Sequence, residues 1–492
     1  MTGPPFWKCE VCGYVHQGDA PPDSCPVCGA DRDRFAPLKI MSAPSAPPAA
    51  GQWRCTVCDH VVTAGGPPEC CPVCGATANL FEPYRPQAAV CREAPVEQLV
   101  ILGAGVAGIT AAETARALAP ATRITVLTRE EELPYYRLNL TRLLAIEVEE
   151  QALPLKPLEW YAEQRIALVV GEAVAIEREE RRVRLQAGGA IPYDRLILAN
   201  GAHPFVPPLP GATRAGVVTL RTLGDTRRIL GQLRAGNRCV CIGGGLLGLE
   251  TAAALQRHGA AVTVLEGFGW LLPRQLPRQG GGLLQELVEA RGIGVCCDAQ
   301  VKELCGDERV QAVRLADGRE FPCDLVVLTV GVRPNSFLAR AAGLAVGSGV
   351  TVDDRMLSSD PAIFAAGDVA EHRQVVYGIW PAAYAQGVVA GTNAVCGGVE
   401  FHGLPPATRL KVMGVELFSA GRISADDGSY RLVEVREGGN YRAILCRDNR
   451  CLGGALLGDT ALAPVLKEAI ESGTQLQERP ELLAHFPGAV TA

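Results

Sequence analysis

Apolar residues fall along this chain in short uninterrupted runs, several of them closed by glycines. Leu99-Val100-Ile101-Leu102 is followed by Gly103-Ala104-Gly105-Val106-Ala107-Gly108 and an alanine-rich stretch to about Leu118. Four consecutive apolar positions predict a strand covered on both faces, the glycines a tight turn, and the alanines a helix lying close on the sheet. Ile124-Thr125-Val126-Leu127 predicts the next strand. The pattern returns 140 positions on, from Gly103 to Gly243: Cys239-Val240-Cys241-Ile242, then Gly243-Gly244-Gly245-Leu246-Leu247-Gly248, a helix, and Val262-Thr263-Val264-Leu265. Leu196-Ile197-Leu198 and Ile363-Phe364-Ala365 predict further strands, as does the run ending at Thr329-Val330-Gly331. Strands alternating with helices predict an α/β architecture with two doubly wound parallel sheets. Alternation of apolar and polar residues at 410–421 and 429–446 predicts the strands of a small α+β domain at the C-terminal end. No run of 18 uninterrupted apolar residues occurs, so no membrane-spanning helix is expected.

The N-terminal segment is organised differently. Shifted by 46 positions it lies on itself: Trp7 falls on Trp53, and Cys9, Cys12, Cys25 and Cys28 fall on Cys55, Cys58, Cys71 and Cys74. Cys25-Pro26-Val27-Cys28-Gly29-Ala30 recurs unchanged at 71–76. Each copy is too short for a self-sufficient apolar core. Two C-x2-C pairs separated by twelve residues bring four thiolates within reach of one ion, and a tetrahedral S4 site holds zinc or iron. Metal binding would then supply the missing stability. Spacing alone leaves open a zinc ribbon that only folds or binds a partner. His16 and His60 lie near ligand pairs that already number four sulfurs, so both read as surface residues, and Cys70 reads as a bystander to Cys71. Residues 37–51 are rich in proline and alanine. A polyproline-like stretch of that length reaches roughly 45 Å at about 3.1 Å per residue, so the modules are expected to swing relative to the rest of the chain.

Length and charge then set limits. At about 150 residues per domain, 492 residues predict three or four domains. An apolar content of 48% is too high for disorder, and a net charge of −6 argues against a nucleic-acid partner. Met1-Thr2-Gly3-Pro4-Pro5 has neither a basic nor an apolar leader region, so a cytoplasmic location is expected. There, nine of 19 cysteines within the first 74 residues read as metal ligands rather than as a disulfide framework.

Both glycine turns match G-x-G-x-x-G between a strand and a helix, the dinucleotide-binding fingerprint. The glycines let backbone close on a pyrophosphate, and the helix N-terminus supplies partial positive charge. Glu130, just past the second strand, is the candidate ribose ligand of the first fold, with Glu131 as competitor. Glu266 ends the second strand of the other fold directly; a carboxylate there accepts from both ribose hydroxyls and repels a 2′-phosphate, which predicts NADH over NADPH.

These phrases carry resemblances. Cys9-Glu10-Val11-Cys12-Gly13-Tyr14 with Cys25-Pro26-Val27-Cys28-Gly29 resembles the rubredoxin-like iron module in the short-loop form found in rubrerythrins. That implies a one-electron Fe(Cys)4 centre. The second copy departs from it, with Asp59-His60 after Cys58 in place of Gly-Tyr, and its site is open to zinc. Gly103, Gly105 and Gly108, Pro134-Tyr135-Tyr136-Arg137, Ala199-Asn200-Gly201-Ala202, the Gly243–Glu250 turn, Leu271–Leu276 and Gly367-Asp368 together resemble the flavoproteins with two Rossmann-type, glutathione-reductase-like domains. Within them the chain is most similar to NADH:rubredoxin reductases and to the flavin half of NADH nitrite reductase large subunits. The resemblance implies FAD in the first fold and NADH in the second. It implies that Asp368 meets a ribityl hydroxyl, that Arg137 lies near the isoalloxazine, that the Ala173 backbone contacts adenine, and that Glu250 lies near nicotinamide and flavin. Ala199, Gly201, Gly331 and Gly367 belong to the same nucleotide-facing phrases. For Arg137 and Glu250 an exposed helix charge is the alternative.

The expected organisation is a rubredoxin-like module at 1–38, a linker at 39–51, a second module at 52–84 and a linker at 85–97. The FAD-binding domain follows at 98–211 and 332–400, the NADH-binding domain is inserted at 212–331, and the C-terminal domain, expected to pack on the flavin side, covers 401–492. Residues 131–150 hold no cysteine, and Cys239, Cys241, Cys296 and Cys297 lie in or near apolar strands, so disulfide and sulfenic-acid chemistry are not expected. Cys446 and Cys451 stand in the wrong context for either. The reading is hydride in from NADH to FAD, then single electrons to the chain's own rubredoxin-like Fe(Cys)4 modules and on to an external redox protein: a rubredoxin, a rubrerythrin, a flavodiiron protein or a superoxide reductase. The alternatives are a reductase component with zinc-ribbon docking modules and a non-catalytic FAD/NADH sensor. A homodimer is compatible with each.

Overall fold

The computed structural model describes residues 6–9, 11, 15–17, 20–26, 29–38, 51–55, 61–69, 78, 81–84, 96–404, 407–412, 414–425, 427–487 and 489. Two five-stranded parallel sheets form its frame. The first runs Ile363–Ala365, Arg195–Leu198, Gln98–Leu102, Arg123–Thr128, Ile166–Val170 in spatial order. The second runs Val217–Thr219, Leu325–Leu328, Arg238–Ile242, Ala261–Leu265, Gly294–Cys296. In both, the strand that feeds the glycine turn is the central one; the next strand of the sheet in sequence lies on one side of it, and the strand on its other side comes later in the chain. The turn therefore opens at the point where strand order reverses, the crevice in which such sheets bind ligands. Each sheet is accompanied by a three-stranded antiparallel sheet, at Ala173–Glu177, Arg182–Leu185 and Ala190–Pro192 in the first and at Val301–Cys305, Ala312–Leu315 and Glu320–Pro322 in the second. Ala202–Pro204 pairs with Val332–Pro334 where the chain leaves the first fold and returns to it.

Small residues let helices close on one another. The Val106–Leu118 helix packs against the Trp380–Val395 helix. A Cβ on Gly387 would lie 2.6 Å from the Ala107 carbonyl oxygen, and one on Gly391 would lie 2.5 Å from that of Ala111. The alanine and glycine bias of both segments is thus a packing requirement.

The C-terminal sheet is antiparallel, ordered Ala407–Val412, Val415–Gly421, Arg450–Leu457, Asn440–Arg447, Arg431–Glu437, and the Ala463–Ser472 helix covers one face. Its other face shares a core with the second nucleotide fold and with Leu140 and Leu144 of the first. Tyr441, fully buried, fills the space left by Gly280 on the Arg278–Glu289 helix. The domain thus leans mainly on the second nucleotide fold rather than on the first, whose residues Tyr135, Leu140, Leu144 and Leu153 share the same core.

The N-terminal modules share a strand order. The sheet Val15–Gln17, Phe6–Cys9, Phe35–Leu38 is repeated as Val61–Ala64, Gly51–Cys55, Phe81–Tyr84. Cys9 pairs with Phe35 as Cys55 pairs with Phe81. Among the described residues the first module buries only Cys9, Cys25, Ala30 and Phe35, a core too small to hold a fold unaided.

Candidate functional site

The two glycine turns are built alike. Gly103 has φ +109°, and a Cβ there would lie 2.2 Å from the Ala199 carbonyl oxygen; one on Gly108 would lie 2.0 Å from that of Gly103. Only glycine fits either place. Gly105 is different: its φ and ψ are −74° and −178°, its Cβ position has nothing within 4 Å, and it caps the Val106–Leu118 helix without a side-chain hydrogen bond. The second turn repeats this with Gly243 at φ +113°, a Cβ on Gly248 falling 1.9 Å from the Gly243 carbonyl oxygen, and Gly245 open and uncapped at the start of the Leu246–Arg257 helix. An uncapped helix N-terminus facing open space fits a dinucleotide pyrophosphate. Among the other expected nucleotide contacts, Ala173 opens its strand at a bulge, Ala199 lies under Gly103, and Gly201, Gly331 and Gly367 have φ of +63°, +106° and +79°.

One polar network ties the first fold together. Arg137 donates to Glu130 Oε1 at 2.7 Å, to the Tyr135 hydroxyl at 3.0 Å and to the Arg221 carbonyl at 2.6 Å. Tyr135 donates to Glu130 Oε2 at 2.5 Å and accepts from the Leu223 amide at 3.0 Å. Arg221 donates to Asp368 Oδ2 at 2.7 Å. Glu130, Arg137 and Asp368 are thus brought together, and Tyr135 and Arg221 join them without having been singled out. Glu130 turns inward to Arg137 while Glu131 faces solvent. Burial pushes the Tyr135 phenol well above its ordinary range, so it stays protonated and can donate to Glu130. Gly367 donates its amide to Gln386 at 2.8 Å, and the buried Gln386 Nε2 has no partner.

Glu250 is half-buried on the Leu246–Arg257 helix and accepts from Thr141 Oγ1 at 3.0 Å. Burial raises its pKa to about 7, with Thr141 pulling the other way. The folded protein therefore holds a proton that the unfolded chain releases near pH 4.5. Stability tied to this group is full below pH 4.5 and is lost as pH rises through about 7. Glu250→Gln is expected to match the wild type in thermal melting at pH 4 and to exceed it at pH 8 by about 1–2 kcal/mol. Equal differences at both pH values would contradict this.

Glu266 is buried at 6% exposure, accepting from the Gly244 amide at 2.6 Å and the Phe268 amide at 2.8 Å. It braces the second turn from inside the crevice edge.

In the first module Cys9 and Cys25 are fully buried, and a Cys25 N–H to Ala30 O bond of 2.7 Å with a Gly29 N–H to Cys25 O bond of 2.9 Å closes the loop between them. Buried sulfurs on such a loop, in so small a core, fit a thiolate-bound iron or zinc. Cys12, Cys28, Cys58, Cys71 and Cys74 lie outside the described residues, and Cys55 is described only as the end of its strand.

Residues 97–387 match the model described as "Pyridine nucleotide-disulphide oxidoreductase". The chain belongs to that family. Residues 406–474 match the rubredoxin NAD+ reductase C-terminal domain, and residues 7–36 and 53–82 each match the rubredoxin-like domain of rubrerythrin. A nitrite reductase [NAD(P)H] of Bacillus subtilis (strain 168) is 35% identical over 78% of this chain and 48% of its own length. The chain spans about half the length of such curated relatives. The ferredoxin–NAD(+) reductase component of the anthranilate 1,2-dioxygenase system of Burkholderia cepacia is 38% identical over 68% of this chain and 85% of its own. The crystal structure of NADH:rubredoxin oxidoreductase from Clostridium acetobutylicum superposes with a TM-score of 0.67 at 27% identity, over 77% of this chain and 96% of that one. The chain therefore joins a pyridine nucleotide-disulphide oxidoreductase unit to two rubredoxin-like modules and a rubredoxin NAD+ reductase C-terminal domain.

The family's name refers to a disulphide, yet the cysteines near the second fold do not suit one. Cys239 and Cys241 are buried within a strand, and burial pushes Cys239 up to about 12 and Cys297 up to about 11. Thiols so held are poor nucleophiles. Cys396, at the end of the Trp380–Val395 helix, is disulfide-bonded, which sequence reasoning did not anticipate.

Proposed function

We propose that the chain takes a hydride from NADH and hands single electrons to its own thiolate-bound N-terminal modules, which pass them to an external redox protein. The observation that carries this reading is the presence of two thiolate modules on the chain that bears both dinucleotide folds. Bound FAD accepts two electrons as a hydride and releases them one at a time. Gly103, Gly105, Gly108 and the uncapped helix behind them would hold its pyrophosphate, and Arg221 would keep Asp368 oriented toward the ribityl chain. Arg137, fixed by Glu130 and Tyr135, would set positive charge beside the isoalloxazine. Gly243, Gly245 and Gly248 would hold NADH, with Glu266 on its ribose and Glu250 near the nicotinamide. Fusing acceptor to reductase raises the acceptor's local concentration without any new contact.

Glu266 gives the reading a specificity test. Glu266→Gln removes the charge that repels a 2′-phosphate, and its one oxygen keeps one of the two amide bonds that Glu266 splits between Oε2 (Gly244) and Oε1 (Phe268). The ratio of kcat/KM for NADH over NADPH is expected to fall about 10-fold or more. An unchanged ratio would remove Glu266 from the ribose.

The whole reading is tested by reducing the protein with stoichiometric NADH under argon and mixing it rapidly with candidate acceptors: a rubredoxin, a rubrerythrin, a flavodiiron protein and a superoxide reductase. Re-oxidation of the chain's chromophores by at least one is expected within a single turnover. Reduction of the flavin with no transfer to any one-electron acceptor would refute it. A second reading has specific support: the Asp59-His60 departure and the nitrite reductase relatives fit a reductase component whose second module is a zinc docking ribbon. Among the described residues no helix is long and apolar enough to cross a membrane, and a cytoplasmic site with its supply of NADH suits the reaction. A homodimer is part of the same proposal, open to test by sedimentation.

A further inference from the structure

The short segment Arg137–Leu144 is touched from two sides. On its inner side Arg137 belongs to the Glu130–Asp368 network and Thr141 holds Glu250. On its outer side sits the loop of the first module. Asn139, 1% exposed, donates its amide to the Pro26 carbonyl. Arg142 donates to the Cys25 carbonyl at 2.9 Å. The Arg142 side chain is only 11% exposed and is steered by Glu147 Oε2 at 3.4 Å and by Asn139 Oδ1 at 3.4 Å. Gly29, at φ +73°, lies so close that a Cβ on it would be 3.1 Å from Nε and Nη2 of Arg142.

We propose that Asn139 and Arg142 form a built dock for the Cys25–Gly29 loop, which makes the first module, rather than the second, the entry point for electrons leaving the flavin side. Three features support it. Arg142 is held from the reductase side by Glu147 and Asn139, so less of its side-chain freedom is lost on docking. Both acceptors are peptide carbonyls of the loop that carries a metal-ligand candidate, so the contact reads the loop's shape. The guanidinium also places positive charge beside the thiolates, which favours the more negative, reduced state of a four-thiolate iron site. Electron tunnelling weakens steeply with distance, and one five-residue helix is all that separates this loop from Glu250. The proline- and alanine-rich stretch between the strands Phe35–Leu38 and Gly51–Cys55 has the reach to permit docking, so the expected swinging gives way to a seated module. This inference rests on the electron-transfer reading, since a dock for a redox module has a use only if electrons pass.

The test is hydrogen–deuterium exchange of the full-length, metal- and flavin-loaded protein, comparing wild type with Arg142→Leu and Arg142→Lys. In Arg142→Leu, peptides spanning 20–34 are expected to exchange about 10-fold faster, while peptides of the second module and of both parallel sheets stay unchanged. Arg142→Lys, with a single point donor, is expected to fall between. Wild-type protection should be independent of protein concentration over a tenfold dilution, as an intramolecular contact requires. Unchanged exchange at 20–34 in Arg142→Leu would overturn the dock, as would protection that tracks 71–76 instead. Exchange needs no electron flow, so this readout stands even if redox transfer to the modules fails.

Discussion

Gly105→Asp is expected to purify folded but without flavin absorption, whereas Gly245→Asp is expected to keep its flavin bands and to resist reduction by NADH. The two positions are equivalent by geometry. Each caps a helix in extended backbone, φ −74° and −75°, with no atom within 4 Å of its Cβ position. Asp is a favoured N-cap residue, so the helix loses nothing and gains a partner for its first amides. The same carboxylate then occupies the space and the amides that a pyrophosphate needs. At about 4 Å and an effective dielectric near 20, like charges repel by about 4 kcal/mol, roughly a thousandfold in affinity. Flavin content per chain and the rate of flavin bleaching by NADH read the two losses separately, and the thermal midpoint reports that the fold survives. Retained flavin in Gly105→Asp would mean that the first turn holds no dinucleotide.

Cys9→Ser is expected to strip the first module of its metal while leaving the reductase intact. Cys9 is fully buried in a core of four residues, and a serine hydroxyl stays protonated at neutral pH. Metal binding to such modules contributes about 10–16 kcal/mol, essentially the whole of their folding energy. Metal content should drop by one ion per chain and flavin reduction by NADH should change less than about twofold, because the parallel sheets keep their own cores. Electron output to a protein acceptor should fall about 10-fold or more. Cys55→Ser should cost less, since among the described residues the contacts to the reductase come from the first module. Equal output from Cys9→Ser and wild type would take the first module out of the path.

What could be read from the sequence follows from sterics. Gly103, Gly108, Gly243 and Gly248 stand where any Cβ would strike backbone, so their spacing reports a three-dimensional fact directly. The repeated cysteine pairs were legible because four ligands around one ion allow few spacings. Arg221 was not legible: a lone arginine in a loop has no pattern, and its partner Asp368 is 147 residues away. Tyr135 stood inside a quoted motif, yet only the fold shows its hydroxyl bridging Glu130, Arg137 and the Leu223 amide. Asn139 and Arg142 bond to carbonyls of Pro26 and Cys25, and since every residue has a carbonyl, no side-chain signature marks the acceptor. Glu130 was assigned by its place after a strand, which says where the backbone ends but not where the carboxylate turns.

The most direct measurement is a visible spectrum of anaerobically purified protein with metal analysis, followed by stoichiometric NADH. Flavin bands overlaid with ferric-thiolate absorption, both bleaching as NADH is added, are the predicted result, with about two irons per chain if both modules carry electrons and one iron with one zinc if only the first does. Bleached flavin beside modules that contain zinc alone would contradict an electron path through them.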